Sequence, residues 1–116
     1  MKKLFIIEND TDTLDLIGFV FEDAFNIIKF RELVSLHVIE RFQPDVMIMD
    51  LKLESGFSDI LCKQLKASEA TSHIRVILCS AAADIATRAK EMCVDAWIEK
   101  PFDIDELKKK VVELVG

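Results

Sequence analysis

Four runs of apolar residues in this chain lack the in–out alternation of a half-buried strand, and each ends close to a polar residue. Leu4-Phe5-Ile6-Ile7 runs into Glu8-Asn9-Asp10, Val46-Met47-Ile48-Met49 into Asp50, and Ile74 to Cys79 into Ser80. Ala96-Trp97-Ile98 is followed closely by Lys100-Pro101. A strand that is apolar throughout has to be covered on both faces, the condition of strands in a parallel sheet packed between helices. Between the runs, apolar residues recur at spacings of three and four. Leu14, Ile17, Phe21 and Phe25 give a first amphipathic helix of about 12 to 14 residues.

A weaker strand follows at Asn26 to Phe30, then a helix around Glu32 to Phe42 that Gln43-Pro44-Asp45 interrupts. Ser58 to Ala67 reads as a helix using Leu61 and Leu65. Ala83 to Met92 reads as another, with Ile85, Ala89 and Met92 on one side. The last helix has the clearest start: Asp103 and Glu106 stand at capping-box spacing, with Phe102 and Leu107 at the staple positions. Leu107, Val111 and Leu114 supply its apolar face. The order is strand-helix repeated five times. Right-handed crossovers then give an α/β, doubly wound, five-stranded parallel sheet in a (βα)5 three-layer sandwich. All strands of such a sheet point the same way, so the four polar ends gather at its carboxyl edge, where open α/β sheets bind ligands.

With 116 residues, 51% hydrophobic and 31% charged, the chain reads as one globular domain and not as a disordered one. Three glycines and two prolines leave room only for short loops between regular elements. No apolar run approaches the roughly 20 residues of a membrane span, and Met1 to Glu8 is too short for a signal peptide. The expected location is therefore cytoplasmic. A net charge of −6 argues against direct nucleic-acid binding, which needs basic patches. Lys108-Lys109-Lys110 reads as a solvated helix end that complements the helix dipole. Cys62, Cys79 and Cys93 have neither zinc nor disulfide spacing and read as small, buried or half-buried apolar residues.

Asp50 is the candidate reacting group, because a carboxylate can take a phosphoryl group as an acyl phosphate. Attack brings two anions together and calls for a divalent cation. Glu8 and Asn9 would supply oxygen ligands, with Asp50 and the backbone carbonyl of Lys52 completing the protein's share. Such ligands suit Mg2+, or Mn2+. Lys100 would set a cation against the phosphoryl oxygens, and Ser80 would offer a hydroxyl donor. Asp10 reads as the cap of the first helix. His37 and His73 fall away from this pocket and read as structural or surface residues.

Together these residues resemble the receiver domain of two-component response regulators, a flavodoxin-like fold, from about Lys2 to Val115. The likeness rests on the acidic cluster after the first strand, on Pro44-Asp45-Val46-Met47-Ile48-Met49-Asp50-Leu51, and on Ser80-Ala81. It is completed by Asp95-Ala96-Trp97-Ile98-Glu99-Lys100-Pro101-Phe102. The resemblance implies that Asp50 is the phosphoacceptor and that Glu8 and Asn9 occupy the acidic-pair positions. It likewise makes Ser80 the switch hydroxyl, Lys100 the family's lysine and Trp97 the switch aromatic, and it makes a cis Lys100-Pro101 bond an expectation. Three departures stand out. Asn9 replaces the usual aspartate, which predicts weaker metal binding. The loop from Leu51 to Ser58 has Glu54 for the usual proline and carries its glycine early. Cys93 stands where a glycine commonly ends the fourth helix, so a left-handed conformation is expected there.

The expected function is a phosphorelay receiver, a signalling domain and not an enzyme beyond its own phosphorylation and dephosphorylation. It would take its phosphoryl group from a histidine kinase or phosphotransfer protein. It would present a switched surface on the fourth helix, fifth sheet strand and fifth helix, roughly residues 83–115. The chain is expected to be a single receiver domain, 1–116, without an output domain. Its downstream partner would be a separate protein or a missing output domain, and homodimerisation through the last two helices stays open. The alternative is a phosphorylation-independent, receiver-like protein-binding module. A phosphatase using Asp50 would need a second acid two residues on, where Lys52 stands. A flavin site would need a Ser/Thr/Gly-rich loop after the first strand, which is absent.

Overall fold

The computed structural model describes residues 1–116. Five strands form one parallel sheet: β1 (Lys2–Ile7), β2 (Phe25–Phe30), β3 (Val46–Asp50), β6 (Arg75–Ser80) and β7 (Ala96–Glu99), in the order β2-β1-β3-β6-β7. Between β3 and β6 in the chain lies a two-stranded hairpin of β4 (Lys52–Leu53) and β5 (Gly56–Phe57). The helices are α1 (Thr11–Phe21), α2 (Leu36–Phe42), α3 (Asp59–Ala67), α4 (Ile85–Glu91) and α5 (Ile104–Val115). The order reverses direction between β1 and β3, which makes the crevice beyond their carboxyl ends the topological switch point.

The period-two alternation of each strand divides the core. Leu4, Ile6, Val46 and Ile48 face α1 and α5, where they meet Leu14, Ile17, Leu107 and Val111. Phe5, Ile7, Met47 and Met49 face the other way, against Ile39, Leu61, Leu65 and Ala89 of α2, α3 and α4. Both faces are covered, so the doubly wound expectation holds in full.

Element boundaries differ from the sequence reading in three places, and the capping of α5 in one detail. Helix α1 ends at Phe21, and Phe25 opens β2 instead of extending the helix. The rings of Phe21 and Phe25 meet edge-on at 5.7 Å across the turn, which mimics a helical spacing of four. Helix α2 begins at Leu36 and not Glu32, because residues 31–35 are engaged by the hairpin. The Ser55 N–H donates to Glu32 Oε2 at 3.1 Å, and the Leu33 N–H to Ser55 Oγ at 3.3 Å. Helix α4 is shorter than expected, since Ser80 Oγ and a turn at Ala82 occupy the backbone before Ile85. Asp103 does cap α5, but its carboxylate accepts from the Asp105 N–H, and Glu106 makes no return bond.

Cys93 adopts the expected left-handed conformation, φ 58°, as the residue following the α4 cap. Its N–H donates to the Lys90 carbonyl and that of Val94 to the Ala89 carbonyl, the Schellman arrangement that glycine usually serves. This turn leaves Cys93 exposed, in contrast to the buried or half-buried site expected for it, while Cys62 and Cys79 are buried. No helix is long and apolar enough to cross a membrane.

At the amino edge of the sheet, Asp95 stitches α3 to β6. It accepts from Lys66 Nζ at 2.8 Å, the Val76 N–H at 2.8 Å and Arg75 at 3.4 Å. Burial raises its carboxyl, but the Lys66 and Val76 hydrogen bonds outweigh that and hold it below the ordinary 3.8. Its contribution is therefore complete above pH 3.8 and lost as pH falls through the lower folded value. Asp95→Ala is expected to cost about 2–3 kcal/mol at neutral pH in urea unfolding, by leaving the part-buried Lys66 ammonium and Val76 N–H without this acceptor.

Candidate functional site

Strand register alone assembles the pocket. Ile7 pairs with Met49, so Glu8 and Asp50, the next residue of each strand, stand side by side. Asp50 pairs with Cys79, so Ser80 lies one step beyond on the next strand. Ser80 pairs with Glu99, and Lys100 follows. The Lys100 N–H donates to the Ser80 carbonyl at 2.8 Å, carrying this stagger past the end of β7.

The Lys100 ammonium is the centre of the site. Its Nζ lies 2.7 Å from Glu8 Oε1 and 3.3 Å from Asp50 Oδ2. The other oxygen of Glu8, a side chain only 2% exposed, accepts the Asp10 N–H at 3.0 Å. Burial, together with the neighbouring Glu8, raises the Asp50 carboxyl from 3.8 to about 6, with Lys100 opposing the shift. Burial also pulls the Lys100 ammonium down, but the Glu8 hydrogen bond and the Asp50 and Glu8 charges overcome this and hold it above its ordinary value. The Lys100-Pro101 peptide bond is cis, as expected.

The remaining residues sit around this centre. Ser80 is buried, and its Oγ accepts the Ala82 N–H at 3.0 Å. Asp10 caps α1 as expected, its Oδ2 accepting from the Thr13 N–H and Oγ1 at 2.9 and 2.7 Å. Lys52 lies on the hairpin arm β4, with its side chain exposed. Trp97, 39% exposed, pairs with Leu78 on the edge strand and so faces the α4 side of the sheet, two positions before Glu99. Exposed His37 and His73 take no part. Two contributors carried no sequence signal. Buried Ser58 donates both its N–H and its hydroxyl to the Leu51 carbonyl, fixing the chain just after Asp50. Arg31 donates to the carbonyl of Asn9.

The donor set fits a hard divalent cation. Glu8 and Asp50 offer carboxylate oxygens, and Asn9 Oδ1 is a buried oxygen with no hydrogen-bond partner. A buried, unsatisfied acceptor beside two carboxylates is the kind of atom a cation would satisfy. No three His, Cys, Asp or Glu side chains gather anywhere in the chain, so the third protein oxygen here is an amide.

A doubly wound parallel sheet thus carries an acid pair, a hydroxyl and a lysine at its switch point. The sequence profile of the response regulator receiver domain matches residues 4–112, and the chain belongs to that family. It is thus a receiver domain of two-component signalling, not a classical enzyme. The DNA-binding dual master transcriptional regulator RpaA of Synechocystis sp. is 27% identical over 99% of this chain and 49% of the relative. Sporulation initiation phosphotransferase F of Bacillus subtilis is 30% identical over 68% of this chain and 64% of its own length. The chain thus spans about half to two thirds of these curated relatives. The N-terminal signal receiver domain of a Bacteroides fragilis response regulator superposes with a TM-score of 0.86 at 21% identity, covering 100% of this chain and 98% of that one.

A folded Asp50 that keeps its proton to about pH 6 makes stability fall as pH rises from 3.8 toward 6. Asp50→Asn removes that charge without changing shape. It is expected to be more stable than the parent by about 1–2 kcal/mol near neutral pH, less than the full shift because solvent reaches the pocket mouth. Thermal unfolding followed against pH should show the gap closing below about pH 4.

Proposed function

We propose that Asp50 accepts a phosphoryl group from a phosphohistidine donor, a histidine kinase or phosphotransfer protein, and that this switches a partner-binding surface. The observation that carries the reading is the Lys100 ammonium between Glu8 and Asp50 at the switch point of the sheet. Asp50 attacks phosphorus as the P–N bond breaks, and the departing imidazole takes up a proton. Lys100 holds its charge against the phosphoryl oxygens, and Ser80 turns its hydroxyl toward them. Glu8, Asp50, Asn9 Oδ1 and the Lys52 carbonyl would hold Mg2+ or Mn2+, which supplies charge neutralisation for the anionic transfer. Water later attacks the acyl phosphate and resets the domain.

Phosphorylation replaces the single charge of the Asp50 carboxylate with about −1.5 to −2, at a site where two carboxylates already share one ammonium. Ser80 gives up the Ala82 N–H to reach the phosphoryl group, freeing residues 81–84 and the start of α4. Trp97, on the α4 side of edge strand β7, repacks with them. The readout is then the surface of α4, β7 and α5, a population shift biased by a local charge. The reading takes 1–116 as one receiver domain working in the cytoplasm. Its downstream protein is separate or belongs to an output segment, without direct nucleic-acid contact by this acidic chain.

Incubation with acetyl phosphate and Mg2+, read by intact mass, is expected to add one phosphoryl group to the wild type and none to Asp50→Ala. An unmodified wild type would overturn the reading. It would leave the alternative, a phosphate-independent binding module, which Asn9 and the hairpin loop favour. Asn9→Asp adds a carboxylate to the cation site and is expected to tighten Mg2+ about five- to tenfold by calorimetry.

A further inference from the structure

Arg31, the first residue after β2, turns its guanidinium back over the edge of the sheet. Its Nε and Nη2 both donate to the Asn9 carbonyl, each at 3.4 Å. The backbone fixes this placement: Ile7 pairs with Phe30, and the Glu8 N–H donates to the Phe30 carbonyl at 3.0 Å. One carbonyl oxygen takes two of the five guanidinium N–H groups. The rest have no protein acceptor, and the side chain is exposed beside Asn9, the neighbour of Glu8.

We infer that Arg31 is a specificity-determining residue of the phosphoacceptor site, one that grips the phosphoryl oxygens of the incoming donor. The inference rests on the reading of Asp50 as acceptor. A guanidinium is permanently charged, and its fork matches phosphoryl oxygens in pairs. The side chain nearest to its anchor is an amide, since Asn9 bears no charge. A carboxylate there would compete for the guanidinium, whereas the amide leaves it free for an anion. The same charge, held on the Asn9 backbone carbonyl, would oppose a divalent cation bound by that residue's amide oxygen. Arg31 thus favours the donor and disfavours the metal, two effects of opposite sign from one residue.

The test compares wild type, Arg31→Gln and Arg31→Lys. With acetyl phosphate, the O–P bond to Asp50 forms as the donor's P–O bond breaks and acetate leaves with the electron pair. At saturating Mg2+ and low ionic strength, Arg31→Gln is expected to lower the second-order labelling rate about three- to fivefold, with Arg31→Lys in between. Added salt should narrow the difference. Calorimetric titration without donor should show Mg2+ binding about two- to threefold tighter in Arg31→Gln. A general loss of structure would weaken both, so the opposed signs identify the role. Labelling equal to wild type, or weaker Mg2+ binding in Arg31→Gln, overturns the inference and leaves the acceptor reading intact. A wild type that takes no label overturns both.

Discussion

One ammonium group holds the carboxyl edge of this sheet together. Glu8 and Asp50 come from adjacent central strands, and both side chains are buried. Two carboxylates taken out of water side by side repel each other and lose hydration, a cost of several kcal/mol if nothing offsets it. Lys100 offsets it by reaching both, and its own backbone N–H is bonded to Ser80. Side chain and main chain of a single residue therefore tie the ends of β1, β3, β6 and β7 into one unit. The Asp50 carboxyl still rises to about 6, so the offset is incomplete. The site remains the least relaxed part of an otherwise well-buried core.

How much of this was legible in the sequence followed from whether the signal was local. The apolar runs of β1, β3 and β6 read correctly because both faces of each strand are covered, and burial alone dictates their composition. Glu8, Asp50, Ser80 and Lys100 were legible for the same reason. In a parallel sheet, the residue ending each run must lie at a common edge. Phe25 misled because an aromatic pair packed across a turn has the spacing of a helix face. Residues 31–35 misled because their partner, Ser55, is a tertiary contact 22 or 23 residues away.

Arg31 was invisible on both counts. It falls between the strand ending at Phe30 and the helix expected from about Glu32, and only the β1–β2 register brings it to Asn9. Cys93 shows the reverse case. The resemblance, which sets Cys93 where a glycine commonly ends the fourth helix, was enough to foresee a left-handed turn, since the Schellman bonds need that backbone whatever side chain is present. Backbone demands and burial leave marks on local sequence, and long-range polar contacts do not.

Charge decides which parts of the pocket can move. Glu8, Asp50 and Lys100 together carry one net negative charge when all are ionised, and a doubly charged phosphoryl group in place of the Asp50 carboxylate adds one more. The strands cannot relieve that excess, because their ladders and both core faces fix them. Relief would have to come from an added cation, from Arg31 beside Asn9, or from the segments that leave the strand ends. Those segments are the ones held by few bonds: residues 81–84 by Ser80 Oγ and one turn, and the hairpin by Ser58, Ser55 and Glu32. Arg88 links the two, since it lies over the Phe57 ring at 5.6 Å and pairs with Asp84 at 3.2 Å. A charge placed on Asp50 therefore meets a rigid sheet on one side and two weakly held, mutually connected loops on the other. In the proposed reading, motion would then be directed toward α4, where the fold resists least.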